Sequence, residues 1–164
     1  MILTKTFLLI GGNLGNRPHN LEKAKGLINI NIGPLIAESS IYETEPWGFE
    51  HEKFFYNQVL EVDTPLAPDS LLEKIHLIEN QMGRKREKGR YTARIIDIDI
   101  LFYNKEAVNS TSLTIPHKAL HKRRFVLIPL SEIAPDFIHP VLKKSVNMLL
   151  QECSDTGMVK KIIK

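Results

Sequence analysis

Asp97 and Asp99 stand two positions apart in an isoleucine-rich stretch, residues 94–102. Ile suits a pleated strand, and side chains alternate along a strand, so both carboxylates would point to one face, roughly 6.5–7 Å apart along the chain. Like charges at this spacing repel and are costly to bury alone. A divalent cation, or a pair of them, would relieve that cost, and oxygen ligands without Cys or clustered His favour Mg²⁺ over zinc.

A basic segment, residues 83–94, runs directly into this acidic stretch and contains four Arg and two Lys. Arg forks bind phosphate oxygens in pairs, so a basic arm beside a metal-binding strand is typical of a polyphosphate site. Two simpler interpretations remain open. The two aspartates could lie on a solvated strand face, and the basic segment could be only a charged surface.

The composition predicts one soluble domain that spans residues 1–164. The hydrophobic fraction of 43% and the charged fraction of 25% are ordinary for a globular protein. A net charge of +3 does not by itself indicate a nucleic-acid binder. The single cysteine, Cys153, excludes an internal disulfide and a Cys-based zinc site. No apolar run is long enough to span a membrane or to form a signal peptide, so we expect a cytosolic protein.

Strand and helix patterns alternate irregularly along the chain, which indicates an α+β fold rather than a doubly wound sheet. Hydrophobic periodicity predicts strands at residues 6–10, 35–42, 54–63 and 94–102, and helices from about residue 17, from 68 to 82, from 125 to 133 and from 145 to 153. The tail from residue 159 is either an edge strand or a frayed end. The turn at residues 11–16 matches no phosphate-binding loop, so we interpret it as a tight turn between strand and helix.

Four single residues stand out, and three of them have two interpretations each. Trp47 is either a lid on the core or a stacking wall for a flat ligand. Asn57 either bonds to backbone or offers its amide to a ligand. Glu79 lies near a helix C-terminus, where the dipole disfavours a carboxylate, which suggests a local partner. His117 is either a surface residue or part of an anion-binding edge with its basic neighbours.

Six short motifs, taken in order, resemble the 6-hydroxymethyl-7,8-dihydropterin pyrophosphokinases of folate synthesis. They are Gly-x-Asn-Leu-Gly at 11–15, Tyr-x-Thr-x-Pro at 42–46, Tyr-Asn at 56–57, Gly-Arg-x-Arg at 83–86, Arg-x-x-Asp-x-Asp-Ile at 94–100 and Ile-Pro-His at 115–117. The resemblance covers about residues 7–140, and the Arg-x-x-Asp-x-Asp-Ile motif preceded by the arginine arm is its specific part.

The resemblance implies a fold and a reaction. The fold is a ferredoxin-like α+β core, with a mixed or antiparallel sheet packed against helices and long mobile loops around the active site. The reaction transfers the β,γ-diphosphate of ATP to the hydroxymethyl group of the dihydropterin and releases AMP. The implied partners are these small molecules and two Mg²⁺ ions, with no nucleic acid and no membrane. We expect a monomer.

The resemblance also implies a role for individual residues. Asp97 and Asp99 correspond to the magnesium ligands, and Arg84 and Arg94 to arginines that act on the transferring phosphates. The implied ATP contacts are Glu79, Arg86, Arg90, Ile100, Thr114, His117 and Arg123, of which Arg86 and Arg90 would reach the triphosphate as their loop closes. The implied pterin contacts are Thr44, Trp47, Phe55, Asn57 and Phe125, with the two phenylalanines as stacking walls.

Five positions depart from the commonest family pattern: Glu45, His76, Tyr91, Ala93 and Lys118. They affect details of loop closure and of adenine contact rather than the reaction.

Two other functions fit parts of the pattern. One is a different Mg²⁺-dependent phosphoryl or nucleotidyl transferase, although Asn57 between aromatic residues favours a pterin acceptor. The other is an RNA-binding module, because ferredoxin-like folds and basic loops occur in that class. The acidic pair Asp97 and Asp99 argues against RNA binding.

Overall fold

The structure is a computed structural model that describes residues 2–47, 49, 51–83 and 94–162. Its strands are β1 (Thr4–Gly12), β2 (Leu35–Glu38), β3 (Tyr42–Thr44), β4 (Phe55–Thr64), β5 (Asp97–Tyr103), β6 (Val108–Asn109), β7 (Thr114–Ile115) and β8 (Val159–Lys161). Its α-helices are α1 (Arg17–Asn31), α2 (Pro68–Gln81), α3 (Arg124–Ile133) and α4 (Val146–Glu152), and a 3₁₀ turn spans Leu120–Lys122.

Every pairing between the named strands of the main sheet is antiparallel, and the strand order is β5-β1-β4-β3-β8. Strand β2 also pairs with β4, along a different part of it from β3. A separate two-stranded ribbon joins β6 to β7. The predicted α+β fold with an antiparallel sheet is therefore confirmed.

Helices cover both faces of the sheet. One hydrophobic cluster joins the strands to α1 and α2, through residues such as Leu21, Ile28 and Ile75. The second cluster joins the opposite face to α3 and α4 and centres on Phe7 and Phe102, whose rings meet edge to face at 6.2 Å. Burial on both faces holds the central strands rigid, because their side chains have packed partners on either side.

Local sequence signals set where the first two helices begin and end. The Asn16 carboxamide oxygen accepts the His19 amide at 3.2 Å and so caps α1. Ala67 caps α2 without a side-chain bond, as its methyl side chain predicts, and Pro68 occupies the first helical position. Gly83 follows α2 with a φ of 85°, a left-handed conformation that favours glycine and ends the helix.

The structure differs from the predicted strand over residues 35–42, which is divided into β2 and β3. Between them Ser39 bonds to β4 with its side chain as well as its backbone. Its amide donates to the Val59 carbonyl at 2.9 Å, its hydroxyl accepts the Val59 amide at 2.9 Å, and its carbonyl accepts the Gln58 side chain at 2.7 Å. Side-chain bonds thus replace part of the strand ladder, which an apolar pattern cannot predict.

The tail beyond residue 159 forms an edge strand, β8, paired with β3. Within the described ranges, no helix is both long and apolar enough to cross a bilayer. The expectation of one domain over residues 1–164 stays a prediction.

Candidate active site

Three residues lie side by side across the end of the sheet and form the floor of a pocket of about 480 Å³. In the register of the strands, Gly11 of β1 pairs with Asn57 of β4 on one side and with Asp97 of β5 on the other. Directly paired residues project to the same face, so a carboxylate and an amide face one pocket across a bare glycine. The two outer strands are two strand spacings apart, roughly 9.5 Å.

The glycines in this floor are required by close contacts. A Cβ at Gly11 would lie 2.0 Å from the Asn57 carboxamide oxygen, and a Cβ at Gly12 would lie 2.1 Å from the Ile95 carbonyl. The segment that we interpreted only as a tight turn therefore also lets Asn57 and the start of β5 approach β1 closely.

Asn13 fixes the chain that leads into β5. Its carboxamide oxygen accepts the Arg94 amide at 2.8 Å, and its own amide donates to the Arg94 carbonyl at 2.9 Å. Its side-chain nitrogen donates to the Lys53 carbonyl at 3.0 Å. Asn13 is buried and joins the loop before β4 to the residue that precedes the acidic strand. Asn13 was not among the predicted site residues, although its place in the Gly-x-Asn-Leu-Gly motif was a usable signal.

The two predicted metal-binding carboxylates have different surroundings. The Arg94 guanidinium contacts the Asp97 carboxylate at 2.9 Å. Burial, followed by the charge of Asp97, raises the pKa of Asp99 to about 8, while the nearby Arg123 opposes that shift. Burial beside a second carboxylate therefore favours the protonated form of Asp99 until further positive charge arrives.

This donor set fits magnesium. Among the described residues, no group of three or more His, Cys, Asp or Glu is arranged to hold a metal ion. Two carboxylates on an open pocket suit an ion whose other ligands are water and substrate phosphates. The positive charge of such an ion would also offset the free-energy cost of ionising the buried Asp99. The soft and nitrogen ligands that zinc prefers are absent from the pair.

Aromatic rings and an amide line the opposite part of the pocket. The Asn57 amide donates to the Thr44 hydroxyl at 2.8 Å, and both side chains are buried. The Phe49 and Phe55 rings meet edge to face at 6.0 Å. The Arg123 guanidinium lies over the Trp47 ring at 4.4 Å and lies 5.8 Å from the Phe125 ring centre. These groups offer flat apolar faces beside a polar edge.

His117 is held neutral in this pocket. Burial, followed by the charge of Arg123, lowers its pKa to about 4. Its Nδ1 atom accepts the Ala119 amide at 3.2 Å, which places the proton of the neutral ring on Nε2. The ring can therefore donate one hydrogen bond to an anion without adding charge.

The pocket brings together twelve of the thirteen predicted site residues that the structure describes: Thr44, Trp47, Phe55, Asn57, Arg94, Asp97, Asp99, Ile100, Thr114, His117, Arg123 and Phe125. Glu79 is buried below the pocket and accepts the Ile98 amide at 2.9 Å, so the local partner expected for it is a backbone group of β5. Its contact with ATP stays a prediction. Arg84, Arg86 and Arg90 lie outside the described residues, as do Tyr91 and Ala93.

Several pocket residues were missed as sites. Leu72 and His76 of α2 also line the pocket, as does the turn between β6 and β7, residues 110–113. His76 was noted only as a departure from the family pattern. The short β6–β7 ribbon carries too few residues for a period-2 pattern, which is why the sequence did not indicate this wall.

Comparison with known proteins identifies the family. The model of the family described as "7,8-dihydro-6-hydroxymethylpterin-pyrophosphokinase (HPPK)" matches residues 7–135. The chain belongs to the HPPK family. A 2-amino-4-hydroxy-6-hydroxymethyldihydropteridine pyrophosphokinase of Aquifex aeolicus is 39% identical over 144 residues, which cover 87% of this chain and 88% of the relative. The enzyme of that name from Bacillus subtilis is 40% identical over 128 residues, covering 77% of this chain and 76% of the relative.

Other relatives are much longer than this chain. The "Folic acid synthesis protein fol1" of Pneumocystis carinii is 38% identical over 91% of this chain, which spans only 20% of that protein. Among solved structures, an HPPK-DHPS of Plasmodium falciparum superposes with a TM-score of 0.77 at 21% identity, covering 92% of this chain and 41% of that one. This structural similarity supports the fold.

Proposed function

We propose that this chain transfers the β,γ-diphosphate of ATP to the hydroxymethyl group of 6-hydroxymethyl-7,8-dihydropterin and releases AMP. The reaction follows from membership in the HPPK family. The structural observation that carries it is the row of Asp97, Gly11 and Asn57, because it sets a carboxylate for metal-bound phosphate and an amide for a heterocycle in one pocket.

Asp97 and Asp99 are the proposed ligands of two Mg²⁺ ions. Bound magnesium would neutralise phosphate charge and make the attacking hydroxyl more acidic. The protein contributes by holding both carboxylates on one strand, β5, whose start is fixed by Asn13. Asp99 would hold the ion as its deprotonated carboxylate, a form that the positive charge of the ion would favour.

Two cations and one neutral donor are proposed to orient the phosphates. Arg94 already contacts Asp97 and can turn toward a phosphate oxygen, while Arg123 is held against Trp47. The Nε2 proton of His117 supplies a further hydrogen bond. Thr114 and Ile100 would contact the nucleotide, with Glu79 supporting β5 from below. Positioning and charge stabilisation of this kind account for most of the rate in phosphoryl transfer.

The pterin is proposed to lie between aromatic side chains, with its polar edge toward Asn57 and Thr44. Phe55 and Phe125 would cover the two ring faces, and Trp47 would close one side of the pocket. A flat, amide-rich heterocycle needs both an apolar face and hydrogen-bond partners at its edge.

We propose that the enzyme is cytosolic, because the proposed reaction consumes ATP. We also propose that the chain acts as a monomer, which sedimentation at several protein concentrations can test.

The test is an assay of AMP formation by the purified protein from ATP and Mg²⁺, with and without the dihydropterin. We expect AMP only when the pterin is present, together with a product that is heavier than the pterin by a diphosphate group. ADP as the nucleotide product, or AMP formed equally with ribose or a nucleoside as acceptor, would contradict the proposal.

A further inference from the structure

A short segment near the C-terminus, residues 155–159, contacts both sides of the pterin part of the pocket. We call it the strap. It lies outside residues 7–135, the range that the family model matches. We propose that the strap sets the separation of the two pocket walls, with Asp155 as its main positioning residue. The proposal rests on the proposed function for its substrate and on contacts in the structure for its mechanism.

The strap holds one wall through the start of α3. One oxygen of the Asp155 carboxylate accepts the Arg124 amide at 2.9 Å, and the other accepts the Gly157 amide at 2.9 Å. The Arg124 guanidinium donates to the Gly157 carbonyl at 3.2 Å. Arg123, which caps α3, has no side chain able to accept this amide, so a carboxylate from the tail supplies the cap.

The neighbours of Arg124 give this cap a link to the site. Arg123 and Phe125 flank it, and both line the pocket. A negative charge at the helix start also favours the positive end of the helix dipole. Phe125 lies in the first turn of α3, so fixing that turn fixes where its ring lies. Arg123 precedes the helix, and its guanidinium is held separately over the Trp47 ring.

The strap holds the opposite wall through the loop that follows β3. The Met158 amide donates to the Glu45 carboxylate at 3.0 Å, and Val159 pairs with Thr44 in the sheet. Glu45 and Thr44 line the pocket, and Trp47 lies two residues further along. One tail segment thus bonds to residues on both sides of the cavity, within five positions of its own sequence.

A glycine joins the two attachments. A Cβ at Gly157 would lie 3.1 Å from the Glu45 carboxylate and 3.2 Å from the Asp155 carboxylate. Both distances are tighter than ordinary packing, so one extra methyl group would press on both attachments while leaving their charges unchanged.

The first experiment compares Asp155→Ala with Asp155→Asn, which can still accept one amide. For Asp155→Ala we expect the KM for the dihydropterin to rise about fivefold or more, because the first turn of α3 loses the capping hydrogen bond that holds it. The KM for ATP should change at least threefold less, and kcat should change little. Asp155→Asn should show a smaller rise. Glu152→Ala is the matched control, because it removes an exposed carboxylate bound to Lys144 on the same tail and should leave both KM values unchanged.

The second experiment needs no substrate, so it separates failure of the strap from failure of the proposed function. Trp47 is the only tryptophan in the sequence, so its fluorescence reports on one wall of the pocket. Asp155→Ala and Gly157→Ala should both make Trp47 more accessible to a neutral quencher, and Glu152→Ala should not. Gly157→Ala also provides the test if Asp155→Ala does not fold.

Additivity gives a last check. Asp155 and Glu45 act through one segment. The double variant Asp155→Ala/Glu45→Ala should therefore raise the pterin KM by less than two independent single effects would together. Unchanged quenching together with unchanged pterin KM in Asp155→Ala would overturn the proposal. Equal rises in the KM for pterin and for ATP would also overturn it, because they would indicate general loosening of the fold.

Discussion

At the scale of single residues, the two aspartates of β5 are the proposed metal ligands. We predict that Asp97→Ala and Asp99→Ala each lower diphosphate transfer by about a hundredfold or more, because the charge-stabilising group at the phosphates is lost. Both variants should fold, since each substitution removes one of two repelling carboxylates. Steady-state AMP release with Mg²⁺ measures the first effect, and thermal melts without metal measure the second. Full activity in either variant would contradict the metal assignment.

The raised pKa of Asp99 predicts a pH dependence of stability without metal. Burial favours the protonated carboxyl, so between its ordinary pKa near 3.8 and the value of about 8 the folded chain binds a proton that the unfolded chain does not. The stabilisation is fully present below the ordinary pKa and is lost as pH rises toward 8. We therefore expect the metal-free Tm to fall across this window.

Asp99→Asn should flatten that fall, because the amide cannot ionise. Asp136→Asn, at an exposed position, is the control and should keep the wild-type slope. A slope that is identical in wild type and Asp99→Asn would assign the pH dependence to other groups.

Asn57 and Phe125 are predicted to serve the pterin rather than ATP. Asn57→Ala should cost roughly 1–3 kcal/mol of pterin binding through lost buried hydrogen bonds. Phe125→Ala should cost on the order of 0.5–1.5 kcal/mol beyond the area it buries. Titration calorimetry with each ligand gives both values. Equal losses for the two ligands would mean that these side chains only support the fold.

At the scale of secondary structure, the glycines of β1 join two strands that carry the site. We predict that Gly12→Ala destabilises the protein by about 1–3 kcal/mol and lowers activity, because its methyl group would collide with the Ile95 carbonyl just before β5. The matched control is Gly26→Ala on α1, where a Cβ meets no atom within 4 Å. Gly26→Ala should raise stability by roughly 0.5–1 kcal/mol, since alanine favours a helix. Denaturant titration of both variants tests the contrast.

The elements differ in how far the sequence predicts them. Helices α1 and α2 could be predicted, because their burial follows one period: Leu21, Ala24 and Ile28 on α1 are all buried, as their spacing indicates. Strand β5 could be predicted from the alternation in its first half, where Ile98 and Ile100 are buried. The break between β2 and β3 could not, because it depends on side-chain bonds from Ser39 to a strand about twenty residues away. The tail strand β8 could not either, because its partner β3 lies more than a hundred residues earlier.

The site shows the same division. The acidic pair and the aromatic residues were predicted from residue type, spacing and resemblance. The role of Gly11 was not predicted. A glycine that only forms a strand-to-helix turn and a glycine that lets neighbouring strands approach closely have the same local sequence. Asn13 was missed for a similar reason, since its bonds to residues 53 and 94 become apparent only in three dimensions.

At the scale of the whole molecule, the proposed ATP site would bring a negatively charged triphosphate close to acidic as well as basic side chains. We predict that a non-hydrolysable ATP analogue and Mg²⁺ together raise Tm by about 5–10 °C at a hundredfold excess over Kd, whereas either alone raises it much less. The reason is that the Asp97 carboxylate repels the triphosphate unless a cation lies between them, and that Asp99 becomes a charged ligand only when further positive charge arrives. A chelator should cancel the shift, and Asp97→Ala should lack it. A full shift with the analogue alone would exclude a metal-bridged complex.

Asp97, Gly11 and Asn57 lie on three neighbouring strands, so the spacing of hydrogen-bonded strands sets the distance across the pocket between the outer two residues. Strand spacing varies little between proteins, so the gap of roughly 9.5 Å between β4 and β5 is set by backbone geometry and not by side-chain packing. With the heterocycle on Asn57 and the phosphate near Asp97, as we propose, the gap would fix how far the acceptor alcohol lies from the phosphate. A pterin that carries a hydroxyethyl arm in place of hydroxymethyl would overshoot this span by one carbon. We expect it to bind nearly as well and to react far more slowly.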